Sequence, residues 1–225
     1  FIEFDFPNLD QKIYKDNNIK FKSNTKIAKS IPIGWEFKKL KDVISVIDNR
    51  GKTPPCSDEL TEYPLIEIGA IKGKWRGINY SKCDKFVDKV TYNTWFRSGH
   101  PKKKDILFST VGSLAELKIY WNKTGCIAQN LVSFRCKENI GLFLYQTLLN
   151  NKENLTSYEI GSVQASIKVS QVVNFKFLLP ERNIVNKFEK ISEHLTNLIC
   201  LKLEENISLE KMKNLLLSRM KNLKN

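Results

Sequence analysis

Apolar and polar residues follow two different periods along this chain, and one gives way to the other at Pro180. Before it, Val132, Phe134 and Cys136 alternate with Ser133 and Arg135, and Val173, Phe175, Phe177 and Leu179 alternate with Asn174 and Lys176. A period of two sends successive side chains to opposite faces, so both runs predict strands with one buried face. Apolar runs at 43–47, 65–68, 106–109 and 117–121, separated by Gly, Pro, Asn and Asp, predict further strands. Residues 140–149 repeat at three and four and predict a helix.

After Pro180 there is neither Gly nor Pro through Asn225. A continuous helix over that stretch would extend roughly 65 Å. Alternating steps of four and three from Ile184 pass Phe188, Ile191, Leu195, Leu198, Lys202, Glu205, Leu209, Met212, Leu216, Arg219 and Leu223, nine of the twelve apolar. That is a heptad seam, and it must be covered. A body of about 150 residues is too small to cover all of it, so much of the stripe is expected to meet another helix.

At the other end, residues 7–30 are polar and rich in Lys and Asn, without clear periodicity, and read as an arm or linker that Phe4 and Phe6 could anchor. The organisation expected is an arm over 1–30, an α+β (mixed α/β) body over 31–180, and a helix over 181–225 suited to coiled-coil pairing.

Charge adds a functional direction. Lys plus Arg outnumber Asp plus Glu by 37 to 24. Residues 31–180 carry 22 basic against 14 acidic side chains, more of the excess than either flank. A polyanionic partner is favoured, although only six of the basic residues are Arg, a bias that a Lys-rich composition alone could produce. The five cysteines are irregularly spaced, without Cys-x-x-Cys, and only two histidines are present. Zinc modules and a secreted disulfide framework are disfavoured, and reduced thiols in a cytoplasmic protein are expected. No apolar run approaches a membrane span.

Catalytic constellations are sparse. Gly51-Lys52-Thr53 echoes the end of a phosphate-binding loop, but Val46 stands where the first Gly belongs and Pro54 follows where a helix should begin. Asp105 with Glu116-Leu117-Lys118 echoes the carboxylates and lysine of metal-dependent nucleases; the alternative is ordinary charged strand ends. No catalytic or metal-ligating residue is assigned.

Loops that combine basic, aromatic and amide side chains are better placed to touch nucleic acid. Arg50, Lys52, Lys72, Lys74, Arg76, Lys102, Lys103 and Lys104 are candidates for phosphate. Thr53, Trp75, Tyr80, Ser109, Thr110, Ser113, Gln129, Gln164 and Ser166 are candidates for base contact. The alternatives are an exposed turn for residues 50–55 and for the Ser- and Gly-containing loops, a solvated hairpin tip with a partly buried Trp for 72–77, a solvated edge for 102–104, and a satisfied internal hydrogen-bond pair for Gln129 with Asn130.

The order of segments carries a further signal. Ile31-Pro32-Ile33-Gly34-Trp35-Glu36-Phe37 precedes Gly51-Lys52-Thr53-Pro54, Ile68-Gly69-Ala70-Ile71-Lys72-Gly73 and Lys104-Asp105-Ile106-Leu107-Phe108 with Gly112-Ser113. Gln129-Asn130-Leu131-Val132, Gln164-Ala165-Ser166-Ile167 and Phe177-Leu178-Leu179-Pro180 follow, the last running into Lys187-Phe188-Glu189-Lys190-Ile191. In this order the chain resembles the specificity subunit of type I restriction-modification systems over essentially its whole length. Asn186 departs from the Gln that many members carry near that position.

The resemblance implies a target recognition domain that reads double-stranded DNA without catalysing anything itself, followed by a spacer helix. It implies modification subunits that bind S-adenosylmethionine and methylate an adenine, a restriction subunit joined through them, and no cofactor on this chain. Full-length members contain the unit twice, so a half of a longer subunit, or a half-length protein dimerising through residues 184–223, is expected. Two other readings stay open: the recognition module of a fused restriction enzyme, and a coiled-coil adaptor that does not bind DNA.

Overall fold

In the computed structural model, the residues described are 21–24, 29–121, 123–161 and 165–222. Phe4, Phe6, Gln164 and Leu223 lie outside them. Strands β1 (Phe21–Asn24) and β2 (Lys29–Pro32) pair antiparallel. The end of the expected arm is therefore a hairpin: the backbone groups of these polar residues are satisfied by each other, which hydrophobic periodicity does not report.

Strand β3 (Glu36–Lys39) leads through a single turn, α1 (Leu40–Val43), into β4 (Ile44–Ile47). Then come β5 (Tyr63–Ile66), α2 (Ile68–Ile71), a 3-10 turn at Tyr80–Lys82, β6 (Phe86–Val87) and α3 (Lys89–Thr94). The central strands are β7 (Ile106–Ser109), β8 (Leu117–Ile119), β9 (Cys126–Ile127) and β10 (Leu131–Cys136). Helices α4 (Gly141–Asn150) and α5 (Lys152–Thr156) precede β11 (Glu159–Ile160), β12 (Ser166–Ile167), α6 (Val169–Val172) and β13 (Lys176–Leu179). Helix α7 (Arg182–Asn222) ends the described chain.

The main sheet runs β4-β10-β7-β8, all antiparallel. A smaller sheet, β6-β5-β9, includes the parallel pair β5 and β9. The main sheet is covered on both faces. Ile106, Phe108, Leu117, Ile119, Val132 and Phe134 join Leu142, Leu144, Tyr145 and Leu148 of α4 in one core cluster. Leu107 and Leu131 point the other way, into a cluster with Ile66, Ala70, Ile71 and Ile127. This corrects the expectation of one buried face for residues 132–136: even Ser133 is fully buried. A strand clamped between two layers loses its solvent face whatever its polar residues are.

The run beginning at Val173 is also shorter as a strand than its alternation predicted. Residues 169–172 form α6, and Phe175 N–H donates to the Val172 carbonyl before β13 starts at Lys176. Val169 and Val172, three apart, both face the main core from this turn, so a helical spacing overlapped the alternating one. Likewise Ile68, expected at the end of a strand, opens α2.

Helix α7 packs on the body through a line distinct from the predicted seam. Val185, Glu189, Ser192, Thr196, Cys200 and Leu203 are buried, at spacings that keep them on one face. Several are small, so the helix can approach closely: a Cβ on Gly77 would lie 3.2 Å from Cys200 Sγ. Ile184 instead packs with Ile31 and Trp35, and Phe188 meets Phe143 edge-on at 5.8 Å, so the first two seam positions are used within the chain. From Ile191 onward the seam faces outward: Ile191, Leu195, Leu198, Leu209, Met212 and Leu216 are each more than half exposed. Among the described residues, no helix is long and apolar enough to cross a membrane.

Candidate nucleic-acid interface

Strand register brings distant loops to one end of the main sheet. The C-terminal end of β4 leads into Asp48, that of β7 into Thr110, and β10 begins at Leu131 beside them, paired with Ser109. Thr110 N–H and hydroxyl both donate to the Asn130 carbonyl, at 2.9 and 3.2 Å. Ile167 N–H donates to the Thr110 carbonyl, and Val111 pairs with Ser166 in an isolated bridge. Thr53 Oγ1 donates to Gln129 Oε1 at 3.1 Å. Arg50, Thr53, Thr110, Gln129 and Ser166, separated by as many as 116 positions in sequence, thus share one rim of the body. Lys52, Thr53 and Gln129 are exposed there, and Ser113 and Ser166 are half-buried. Thr110, expected to touch a base, is instead fully buried, its hydroxyl held between the Asn130 carbonyl and Arg50.

Arg50 is held firmly. Its Nε and Nη2 donate to Asp48 Oδ1 and Oδ2 at 2.8 and 2.6 Å, and its Nη1 stands 3.4 Å from Thr110 Oγ1. This hydrogen-bonded pairing with Arg50 holds the Asp48 carboxyl below the usual carboxylate range, against the opposing effect of burial. The segment is also tied to the loop after α3. Ser98 Oγ donates to the Asp48 carbonyl, Ser98 N–H to Asn49 Oδ1, and Asn49 Nδ2 to the Gly99 carbonyl. That loop adds exposed Arg97, and exposed Lys168 follows β12. Sequence reasoning missed Asp48, Asn49, Arg97 and Lys168. Arg97 sits in a Gly- and Ser-flanked basic loop, the kind of signal used for residues 72–77, whereas Asp48 has an acidic side chain and carries no such signal.

Other candidates lie elsewhere. The turn of Lys72–Gly77 rests on the edge strand β8 and on α7: the Arg76 carbonyl accepts from Ile119 N–H, and Lys118 Nζ donates to the Gly73 carbonyl at 2.7 Å. Trp75 borders a groove of about 330 Å³ with Leu203, Ile207 and Glu210 of the long helix. The Arg76 guanidinium turns inward and stacks 4.7 Å from the Tyr145 ring centre. Lys72 and Lys74 are exposed, and Tyr80 is half-buried with Lys123 Nζ 5.2 Å above its ring.

The lysine run precedes β7 at the end of the strand opposite Thr110. Lys103 pairs with Glu193 at 3.0 Å and lies over Trp121. Lys104 pairs with Glu193 and Glu189, and Lys102 N–H donates to Asp105. Lys103 and Lys104 therefore face α7. Ser109 is wholly buried; its hydroxyl donates to the Ser113 carbonyl and accepts from Glu116 N–H, which holds the β7–β8 turn.

The nuclease-like echo is not a cluster. Ile106 is paired with Ile119 and Phe108 with Leu117, so Asp105 and Glu116 sit at opposite ends of these strands. Asp105 is buried against Arg135, with a shortest contact of 2.7 Å, and Glu116 pairs with Lys152. Burial pushes the Lys118 ammonium down to about 8. Among the described residues, no three or more His, Cys, Asp or Glu side chains are placed to hold a metal ion.

Residues 32–211 match the family described as the type I restriction modification DNA specificity domain. The MjaIX specificity subunit of a type I restriction enzyme from Methanocaldococcus jannaschii is 22% identical over 209 residues, covering 87% of this chain and 45% of that protein. The chain thus spans about half the length of this relative. The HsdS subunit from Thermoanaerobacter tengcongensis has a similar fold, with a TM-score of 0.54 at 16% identity, covering 82% of this chain and 42% of that one. A chain from a structure addressing assembly and conformational transition of a type I restriction-modification system gives the same score and identity, covering 83% and 45%. With four-fifths of its length matched, the chain belongs to the type I restriction-modification DNA specificity family.

Proposed function

We propose that this chain is a DNA-reading unit of a type I restriction-modification complex, recognising one half of a split target without catalysing a reaction. The observation that carries this is the convergence of Arg50, Thr53, Gln129 and Ser166 at one end of the main sheet, braced from within by buried Thr110 and beside exposed Lys52, Arg97 and Lys168. Cations attract the phosphate backbone, while hydroxyl and amide groups read base edges. Modification subunits dock along α7, bind S-adenosylmethionine themselves and carry out adenine methylation, and the restriction subunit joins through them. The outward stripe from Ile191 to Leu216 pairs with the helix of a second copy or a second half-subunit.

The deciding experiment is a titration of random-sequence duplex DNA at several salt concentrations, with and without the modification subunit. Enrichment of a defined half-site, appearing or sharpening with that subunit, is expected. No enrichment and no salt dependence in either condition would leave a protein-binding adaptor.

A further inference from the structure

Resting on the DNA-recognition role proposed above, we infer that Asp48 and Arg50 form one preorganised guanine-reading unit, in which Arg50 touches the base and Asp48 is its positioning residue. A guanidinium has five N–H donors. Two are taken by the Asp48 carboxylate, at 2.8 and 2.6 Å, and Thr110 Oγ1 stands 3.4 Å from Nη1. One hydrogen on Nη1 and one on Nη2 are left for a ligand, and Arg50 and Asp48 keep about a third of their side-chain exposure, 31% and 35%.

Two features favour a base over a phosphate. A carboxylate 2.6 Å from the guanidinium nearly cancels its charge and repels a phosphate, which removes the electrostatic advantage on which a backbone clamp depends. What remains is directional: two donors on a fixed planar group, the match for guanine O6 and N7 and the commonest specific arginine contact in the major groove. The mounting is also rigid. Asp48 Oδ1 accepts from Arg50 N–H at 3.1 Å, and the Asp48 carbonyl and the Asn49 side chain are fastened to residues 98 and 99. Little side-chain freedom is left to lose on binding, which favours discrimination.

The test takes the chain assembled with its modification subunits, selects bound duplexes from a random pool, and compares wild type with Arg50→Lys, Arg50→Ala and Asp48→Asn, each checked for folding by thermal melting. Wild type is expected to fix a guanine that Arg50→Lys and Arg50→Ala both relax, by about 5- to 150-fold in preference, with the other positions kept. Arg50→Lys is informative because it retains the charge and loses the planar fork. Asp48→Asn is expected to relax the same position while raising affinity for unrelated DNA. If that variant fails to fold, Asp48→Glu, which keeps the charge but displaces the carboxylate, should relax it as well.

An Arg50→Ala protein that binds every sequence more weakly by the same factor, with a shallower salt dependence, would make Arg50 a phosphate clamp and overturn the unit. Wild-type preference at every position in both Asp48 variants would remove Asp48 from it. If wild type itself enriches no sequence, DNA recognition falls, and this unit with it.

Discussion

Glu189 shows how much one buried carboxylate does in this protein. It is 1% exposed, and its Oε1 accepts from Leu142 and Phe143 N–H at 2.7 and 2.8 Å. A side chain of α7 thereby caps the N-terminus of α4. Lys104, at 3.5 Å, balances its charge. The approach is tight, since a Cβ on Gly141 would come within 2.8 Å of the Lys104 carbonyl oxygen. Glu189→Ala should destabilise the fold by about 1–3 kcal/mol in urea melts, because two buried N–H groups lose their acceptor; Glu189→Gln, which keeps an oxygen there, should cost less.

The same group gives a pH dependence of defined sign. Burial raises the Glu189 carboxyl above its ordinary value, only partly offset by the N–H bonds and Lys104. A raised acid binds protons more readily folded than unfolded, so its contribution to stability falls as pH rises from the ordinary carboxylate value through the raised one. Asp48, lowered by Arg50, runs the opposite way and loses its contribution on acidification. Melts at pH 5 and 7 should therefore show Glu189→Gln losing more stability on acidification than wild type; equal slopes would mean that Glu189 titrates normally.

The thiols give a third expectation at this scale. Burial pushes Cys83, Cys126 and Cys136 up to about 12 and Cys200 to about 11, while Cys56 is the one exposed cysteine. Rapid alkylation of the native protein at neutral pH should modify Cys56, and the other four only after unfolding. Early labelling at a second cysteine would contradict this packing.

Among the elements, α7 has one face buried against the body and one left exposed. Its body face is fixed by Val185, Ser192, Thr196 and Cys200, while Leu198, Leu209 and Leu216 stand 57%, 55% and 61% exposed. Replacing Leu209 and Leu216 together by Glu should change the melting of the isolated chain by no more than about 1 kcal/mol, as surface substitutions do, and should abolish association of helices in sedimentation experiments. Unchanged association would place the contact elsewhere on the helix.

What sequence could reveal follows the same division. The long helix was legible because local periodicity determines it, and strand β7 because a short apolar run reports a strand buried on both faces. The seam was legible too, but not that Ile184 and Phe188 would turn to the body, since Trp35 and Phe143 reach them only through the tertiary fold. Lys103 and Lys104 looked like a solvated basic run for an equally physical reason. Their partners, Glu189 and Glu193, lie 85 to 90 positions away, and no local pattern reports such a pair.

For the whole molecule, the position of its cations matters more than their number. The excess of basic residues in 31–180 belongs to at least two regions, the sheet end with Lys52, Arg97 and Lys168, and the surface along α7 that engages Lys103 and Lys104. Neutralising one phosphate contact lowers the slope of log affinity against log salt by about one. Lys52→Ala should therefore weaken binding to all sequences and reduce that slope, because its exposed ammonium lies on the proposed interface. Lys103→Ala should leave both unchanged: it loses an ion pair with Glu193 and its contact with Trp121, not a phosphate. Gln129→Ala should alter base preference with the slope intact, since an amide carries no charge. Measured together on one random-sequence pool, the three variants separate attraction, reading and scaffolding. A slope that falls equally in Lys52→Ala and Lys103→Ala would move the DNA from the end of the sheet towards the long helix.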